Sequence, residues 1–143
     1  MEDDCVLGPE INRPQVSAQL QSDDWDIAYL GWIAGGTPIS AQPGDQPFIA
    51  TTVAVMGAHA VAYTHVCLTR MVKELERRYA LPHDTHEGFP ILFDGELTTA
   101  RWKLGNIREL LAVPSLAHQR SSSSDISPGK YDRSWLGRTS AGH

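Results

Sequence analysis

Apolar and polar positions alternate most clearly between Thr64 and Pro82. Leu68, Met71, Val72, Leu75 and Tyr79 recur at the three-four spacing of one helical face, and Lys73, Glu74, Glu76, Arg77 and Arg78 fill the rest. Thr64 stands where a helix cap belongs, because its side-chain oxygen can accept from a free amide of the first turn. Pro82 ends the pattern, since a proline disfavours helical backbone in the residue before it.

Elsewhere the period is that of strands. "CVLG" reads as a strand running into a turn at Gly8-Pro9, and "WDIAYLG" as a buried strand carrying Trp25, Ile27, Tyr29 and Leu30. Between them, residues from about Pro9 to Ser22 predict a short helix, with Pro14 tolerated only near its first turn. "FIATTVAVM" and "AHAVAY" predict two extended segments separated by Gly57. Further on, "GELTTARWKLG" predicts a short helix ending at Gly105 and "RELLAVPSLAHQR" a last strand.

Two stretches carry no period: the Gly- and Pro-dense run from Trp32 to Pro47, and "PHDTHEGFPILFDG". Loops this long inside a compact domain are commonly functional, the competing reading of the first being simple disorder. Strands alternating with helices predict an α/β layered domain over 1–126. Residues 127–143 then form a loosely held tail after a Ser-rich run.

Composition narrows the classes. The chain has 143 residues, 41% of them apolar and 20% charged, which suits a domain with a real core rather than a disordered chain. A formal net charge of −5 argues against non-specific attraction to nucleic acid or an anionic membrane. It does not exclude an anionic ligand bridged by a metal, because the cation reverses the local field. Cys5 and Cys67, far apart, make neither a disulfide framework nor a zinc cluster, and a reducing compartment, the cytoplasm, is the expectation. The most apolar stretch, "FIATTVAVMGAHAVAY", is too short and too interrupted to span a bilayer.

Several residues can carry chemistry. Glu2, Asp3 and Asp4 stand directly before the apolar start of "CVLG". On a strand, Glu2 and Asp4 point to one side and Asp3 to the other, and two hard oxygen donors on one side suit Mg²⁺ or Mn²⁺. The competing reading is a solvated charge run. "FDGEL" places Asp94 at a turn after an apolar run, where a carboxylate serves as a general base or as a helix N-cap. His59 lies among small apolar residues and reads as a hydrogen-bonded strand histidine. "HDTHE" places His83, Asp84 and His86 together, the one arrangement that a zinc hydrolase could use, although Pro82 and Gly88 bound it and it is not the helical H-E-x-x-H pattern. The Gly35-Gly36 pair has no Lys-Ser or Lys-Thr after it, so it is not a P-loop.

Taken in order, "EDD", "WDIAYLG", "GAHAVAYTHVCLTRMVKEL", "FDGEL" and "AVPSLAHQRSSSSDI" resemble bacterial glycosyltransferases of the lipopolysaccharide-biosynthesis type, family 25 and its close relatives. The resemblance runs from Glu2 to about Trp135 and rests on the order of five short motifs, none specific alone. It implies a GT-A-like mixed sheet flanked by helices, and transfer of a sugar from a nucleotide-diphospho-sugar donor to a hydroxyl acceptor with Mn²⁺ or Mg²⁺. Glu2 and Asp4 then correspond to the outer acids of the metal motif and Asp3 to the middle acid near the sugar or ribose. Asp94 corresponds to the acceptor-activating base of an inverting displacement. His59, Gln119, Ser124 and Asp125 correspond to substrate-site positions. In that family a nucleotide-binding half precedes the acidic triplet, so the expectation is an acceptor-side half without the first strands of the sheet. The alternative is a catalytically inactive remnant or interaction domain of the same fold.

Overall fold

A computed structural model of the chain describes residues 5–34, 46–52, 55–82, 93–119, 122–123 and 130–131. In chain order these contain β1 (Cys5–Leu7), a 3-10 helix (Pro9–Asn12), α1 (Pro14–Leu20), β2 (Ile27–Ala34), β3 (Phe48–Thr51) and β4 (Val55–Tyr63). Then follow α2 (His65–Tyr79), α3 (Phe93–Leu104), β5 (Glu109–Ala112), β6 (Ala117–Gln119), β7 (Ser122–Ser123) and β8 (Lys130–Tyr131). The fold is α/β. Its central sheet has the order β3-β5-β2-β4, with β2 and β5 parallel and the outer pairings antiparallel, so the sheet is mixed. β1 and β6 form a separate antiparallel ribbon, and β7 pairs with β8 inside the Ser-rich region and the expected tail.

Strand alternation divides the core between the two faces of the sheet. Ile27, Tyr29 and Leu111 point to the face that also buries Cys67 and Met71 of α2 and Ala100 of α3. Ala28, Phe48, Leu110 and Ala112 point to the other, covered by Val16 of α1 together with Trp25 and Leu116. Trp32 breaks the alternation, joining Ile27 and Tyr29 rather than Ala28. The cause is an extra residue in β2 between the pairs Tyr29–Val61 and Gly31–Ala60, which turns the following side chains over. The Trp32 indole then donates to the Ala112 carbonyl at 2.9 Å.

Four sequence expectations change. The single helix over Pro9 to Ser22 is two pieces, because Arg13 takes extended backbone before Pro14, which opens α1 at its first position. Gly57 does not separate two strands: β4 runs through it, and β3 ends earlier at Thr51. β2 continues past Gly31 through Ala34, so the first residues of the expected loop are strand. "RELLAVPSLAHQR" is not one strand but two, β5 and β6, joined across a cis Val113–Pro114 bond.

α2 keeps its expected cap, with the Thr64 hydroxyl accepting from the Cys67 amide at 3.3 Å, but only Met71 and Leu75 of its expected face are turned inward. The buried positions are Cys67, Met71 and Arg78, with Leu75 partly buried, whereas Leu68, Val72 and Tyr79 are exposed. The buried stripe lies one residue earlier along the helix because α3 packs on that side. Arg78 there donates to Glu96 at 2.8 Å, both side chains nearly sealed from solvent. α3 ends at Leu104, where Gly105 (φ 57°) and Asn106 (φ 47°) take the left-handed backbone that closes helices.

Candidate functional site

The candidate site begins from the β1–β6 ribbon. Three residue pairs set its register: Cys5 with Gln119, Val6 with His118, and Leu7 with Ala117. Gly8 donates to the Leu116 carbonyl at 2.8 Å, and Leu116 donates to the Leu30 carbonyl at 2.7 Å, which ties the ribbon to β2. The Ser115 hydroxyl supports the same corner, 2.7 Å from the Ala117 carbonyl and 3.2 Å from that of Leu30. Two distant parts of the sequence therefore meet: Cys5 follows the acidic triplet directly, and Gln119 is the glutamine within the closing motif.

His59 lies beneath this junction. It sits in β4, where the β2–β4 register slips a second time, between the pairs Gly31–Ala60 and Ile33–Met56. Its imidazole is 1% exposed and packs against the bare backbone of Gly31. That matches a strand histidine. A ring so enclosed is shut off from solvent.

The other expected residues are placed as follows. Gln119 ends β6 opposite Cys5. Asp94 lies inside the first turn of α3 rather than in a turn before it, a position where the helix dipole favours a carboxylate. Glu2, Asp3, Asp4, Ser124 and Asp125 lie outside the described residues, as do His83, Asp84 and His86. Among the described residues no group of three or more His, Cys, Asp or Glu side chains is arranged to hold a metal. Glu2 and Asp4, the carboxylates expected to hold Mn²⁺ or Mg²⁺, come just before Cys5 in the sequence.

The strongest electrostatics are structural. The Arg101 guanidinium donates to Glu109 at 2.8 Å and to the Tyr29 hydroxyl at 3.0 Å, and that hydroxyl donates to Glu109 at 3.1 Å. Burial, then the Glu109 charge, pushes the Tyr29 phenol well above its ordinary range. Burial also raises the Glu109 carboxyl, against the pull of Arg101. The Cys67 thiol is likewise pushed up by burial, so it is packing rather than a nucleophile. At the surface, burial alone would raise the Asp26 carboxyl, but Arg108 outweighs it through hydrogen bonds and charge and holds it below the ordinary value.

Sequence reasoning missed Gly31. The available signal was a glycine inside an apolar strand run, which often marks a bulge or a close approach of another backbone. No helix among the described residues is long and apolar enough to cross a membrane. Comparisons with protein-family models, with curated proteins and with solved structures gave no match.

Proposed function

We propose that this chain is a metal-dependent glycosyltransferase, or the acceptor-side half of one, moving a sugar from a nucleotide-diphospho-sugar to a hydroxyl acceptor. The observation that carries this reading is the pairing of Cys5 with Gln119, which brings the residue after the acidic triplet beside the glutamine of the closing motif. A random assortment of short motifs gives no reason for those two to be neighbours. The mixed α/β sheet and the position of Asp94 at the start of α3 agree with it.

In this reading Asp94 takes the proton of the acceptor hydroxyl as its oxygen attacks the anomeric carbon. The bond to the diphosphate breaks on the opposite face, and the configuration inverts. A cation held by Glu2 and Asp4 supplies neutralisation of the departing diphosphate charge. Asp3, Gln119, Ser124 and Asp125 orient the donor and acceptor, and His59 holds β4 against β2.

The test is transfer from a panel of uridine-diphosphate hexoses, comparing the chain with its Asp94→Asn variant. The reading expects the variant to lose transfer while keeping nucleotide affinity. Near-normal turnover would remove Asp94 from the mechanism.

A second reading, a catalytically silent interaction domain, draws support from α2. Leu68, Val72 and Tyr79, the last 62% exposed, leave an apolar stripe on its outer side, a feature that often marks association surfaces. A folded chain with no manganese-dependent nucleotide affinity would favour it.

A further inference from the structure

Gly31 lies in β2 between the two register slips, opposite Ala60. A Cβ on its backbone would stand 2.6 Å from Cδ2 and 2.7 Å from Nε2 of His59, and 2.8 Å from the carbonyl oxygen of Ala117. Contacts this short do not survive between real atoms, so something would have to move. The His59 ring is fully buried and has little room to retreat. The Ala117 oxygen belongs to the backbone of β6, so no side-chain rotation relieves it. The requirement is one of space rather than backbone conformation, because the positive-φ glycine is Gly105, not Gly31.

The part free to move is the ribbon. β6 is three residues long and pairs with a three-residue β1, while β2 is paired to β4 from Ile27 through Ala34 and to β5 over Ile27–Tyr29. A side chain at position 31 therefore displaces Ala117, and with it Leu116 and Gly8, whose amides tie the ribbon to β2 and close its end.

We propose that Gly31 is the positioning residue of the β1–β6 ribbon: its bare backbone lets His59 and the Ala117 carbonyl close onto β2, which fixes where Cys5 and Gln119 come together. The structural part stands by itself. Its consequence for catalysis, correct placement of the acidic triplet and the closing motif, rests on the glycosyltransferase reading.

The experiment compares the full chain with Gly31→Ala and with Met71→Ala, a core substitution remote from the ribbon. Two readouts are taken: amide hydrogen exchange, and calorimetric titration with uridine diphosphate and Mn²⁺. Gly31→Ala is expected to speed exchange at the Gly8 and Leu116 amides at least about tenfold relative to β2 and β5 amides. Met71→Ala is expected to show no such selectivity. Nucleotide affinity should fall in Gly31→Ala and persist in Met71→Ala. Exchange in Gly31→Ala that rises uniformly, or not at all, overturns the proposal. Should the unaltered chain bind no nucleotide, the glycosyltransferase reading fails while the exchange data still decide the role of Gly31. If Gly31→Ala does not fold, adding His59→Ala removes two of the three close atoms and is expected to restore a folded core with a loosened ribbon. Persistent misfolding of that double variant, when His59→Ala alone folds, would also overturn the proposal.

Discussion

From Ile27 to Tyr29, β2 is paired in step with β4 on one side and with β5 on the other. Beyond Tyr29 its register with β4 slips twice, on either side of Gly31, and β6 lies against it instead. In the first half, packing is set by side chains: Ile27, Ala28 and Tyr29 fill both faces, and Tyr29 reaches into the Arg101–Glu109 pair. In the second half it is set by the lack of a side chain, since Gly31 admits His59 and Ala117. The regular half holds the fold together, whereas the irregular half aims a ribbon. Bulges and glycines within strands commonly serve that second purpose.

The largest test of this contrast falls on the helical layer over the regular half. Glu96→Ala leaves the Arg78 guanidinium buried without its carboxylate, and breaking such a pair costs about 3–5 kcal/mol. Urea denaturation measures it, and a loss below about 1 kcal/mol would mean that the pair behaves like an exposed one. Burying it in the first place gives little net stability, so a well-packed apolar replacement of both residues should be tolerated.

A smaller effect is expected at the point where the two halves meet. Trp32→Phe removes the indole donor from the Ala112 carbonyl and should cost about 1 kcal/mol, the usual net value of one such bond. The same denaturation experiment checks it. If exchange at the β6 amides also rose selectively, the division between the two halves would be less sharp than described.

The smallest effects concern pH and have opposite signs at one end of the sheet. Arg108 holds the folded Asp26 carboxyl below 3.8, so the unfolded chain takes up that proton first as pH falls. The stabilisation from Asp26 is complete above that value and is lost on acidification through the depressed folded one. Glu109 behaves the other way: burial raises it above 4.5, so its contribution is complete below that value and is lost as pH rises through the raised one. Asp26→Asn should therefore destabilise the chain at neutral pH, by less than either substitution above because Arg108 is largely solvated. The difference should shrink as the solution is taken below about pH 4. A difference that does not change with pH would remove the ion pair from the account.

Much of the regular half was legible in the sequence. Ile27 and Tyr29 alternate as a buried strand must, and Thr64 announces the start of α2. The face of α2 was read one residue late because Leu68, Val72 and Tyr79 are the apolar residues there. Burial of Arg78 depends on Glu96, which lies on another helix. Gly57 was read as a break because glycine usually is one, but in β4 the slipped register against β2 absorbs it. Pro114 was the unused warning that "RELLAVPSLAHQR" cannot be one continuous strand. For the candidate site, His59 was legible as a strand histidine from its small apolar neighbours. The role of Gly31 was not, because the clearance it provides exists only once β6 returns beside β2. The turn expected at Asp94 is instead the first turn of α3, because the helix begins at Phe93, two residues before the Gly95 from which the sequence pattern started it.

The most direct test of the central claim is a calorimetric titration of the chain with uridine diphosphate, with and without Mn²⁺, beside the Asp4→Asn variant. The account predicts binding that requires manganese and that is lost in the variant, since it assigns Asp4 to the metal. A well-folded chain that takes up no nucleotide with manganese, or a variant that binds as well as the parent, would contradict it.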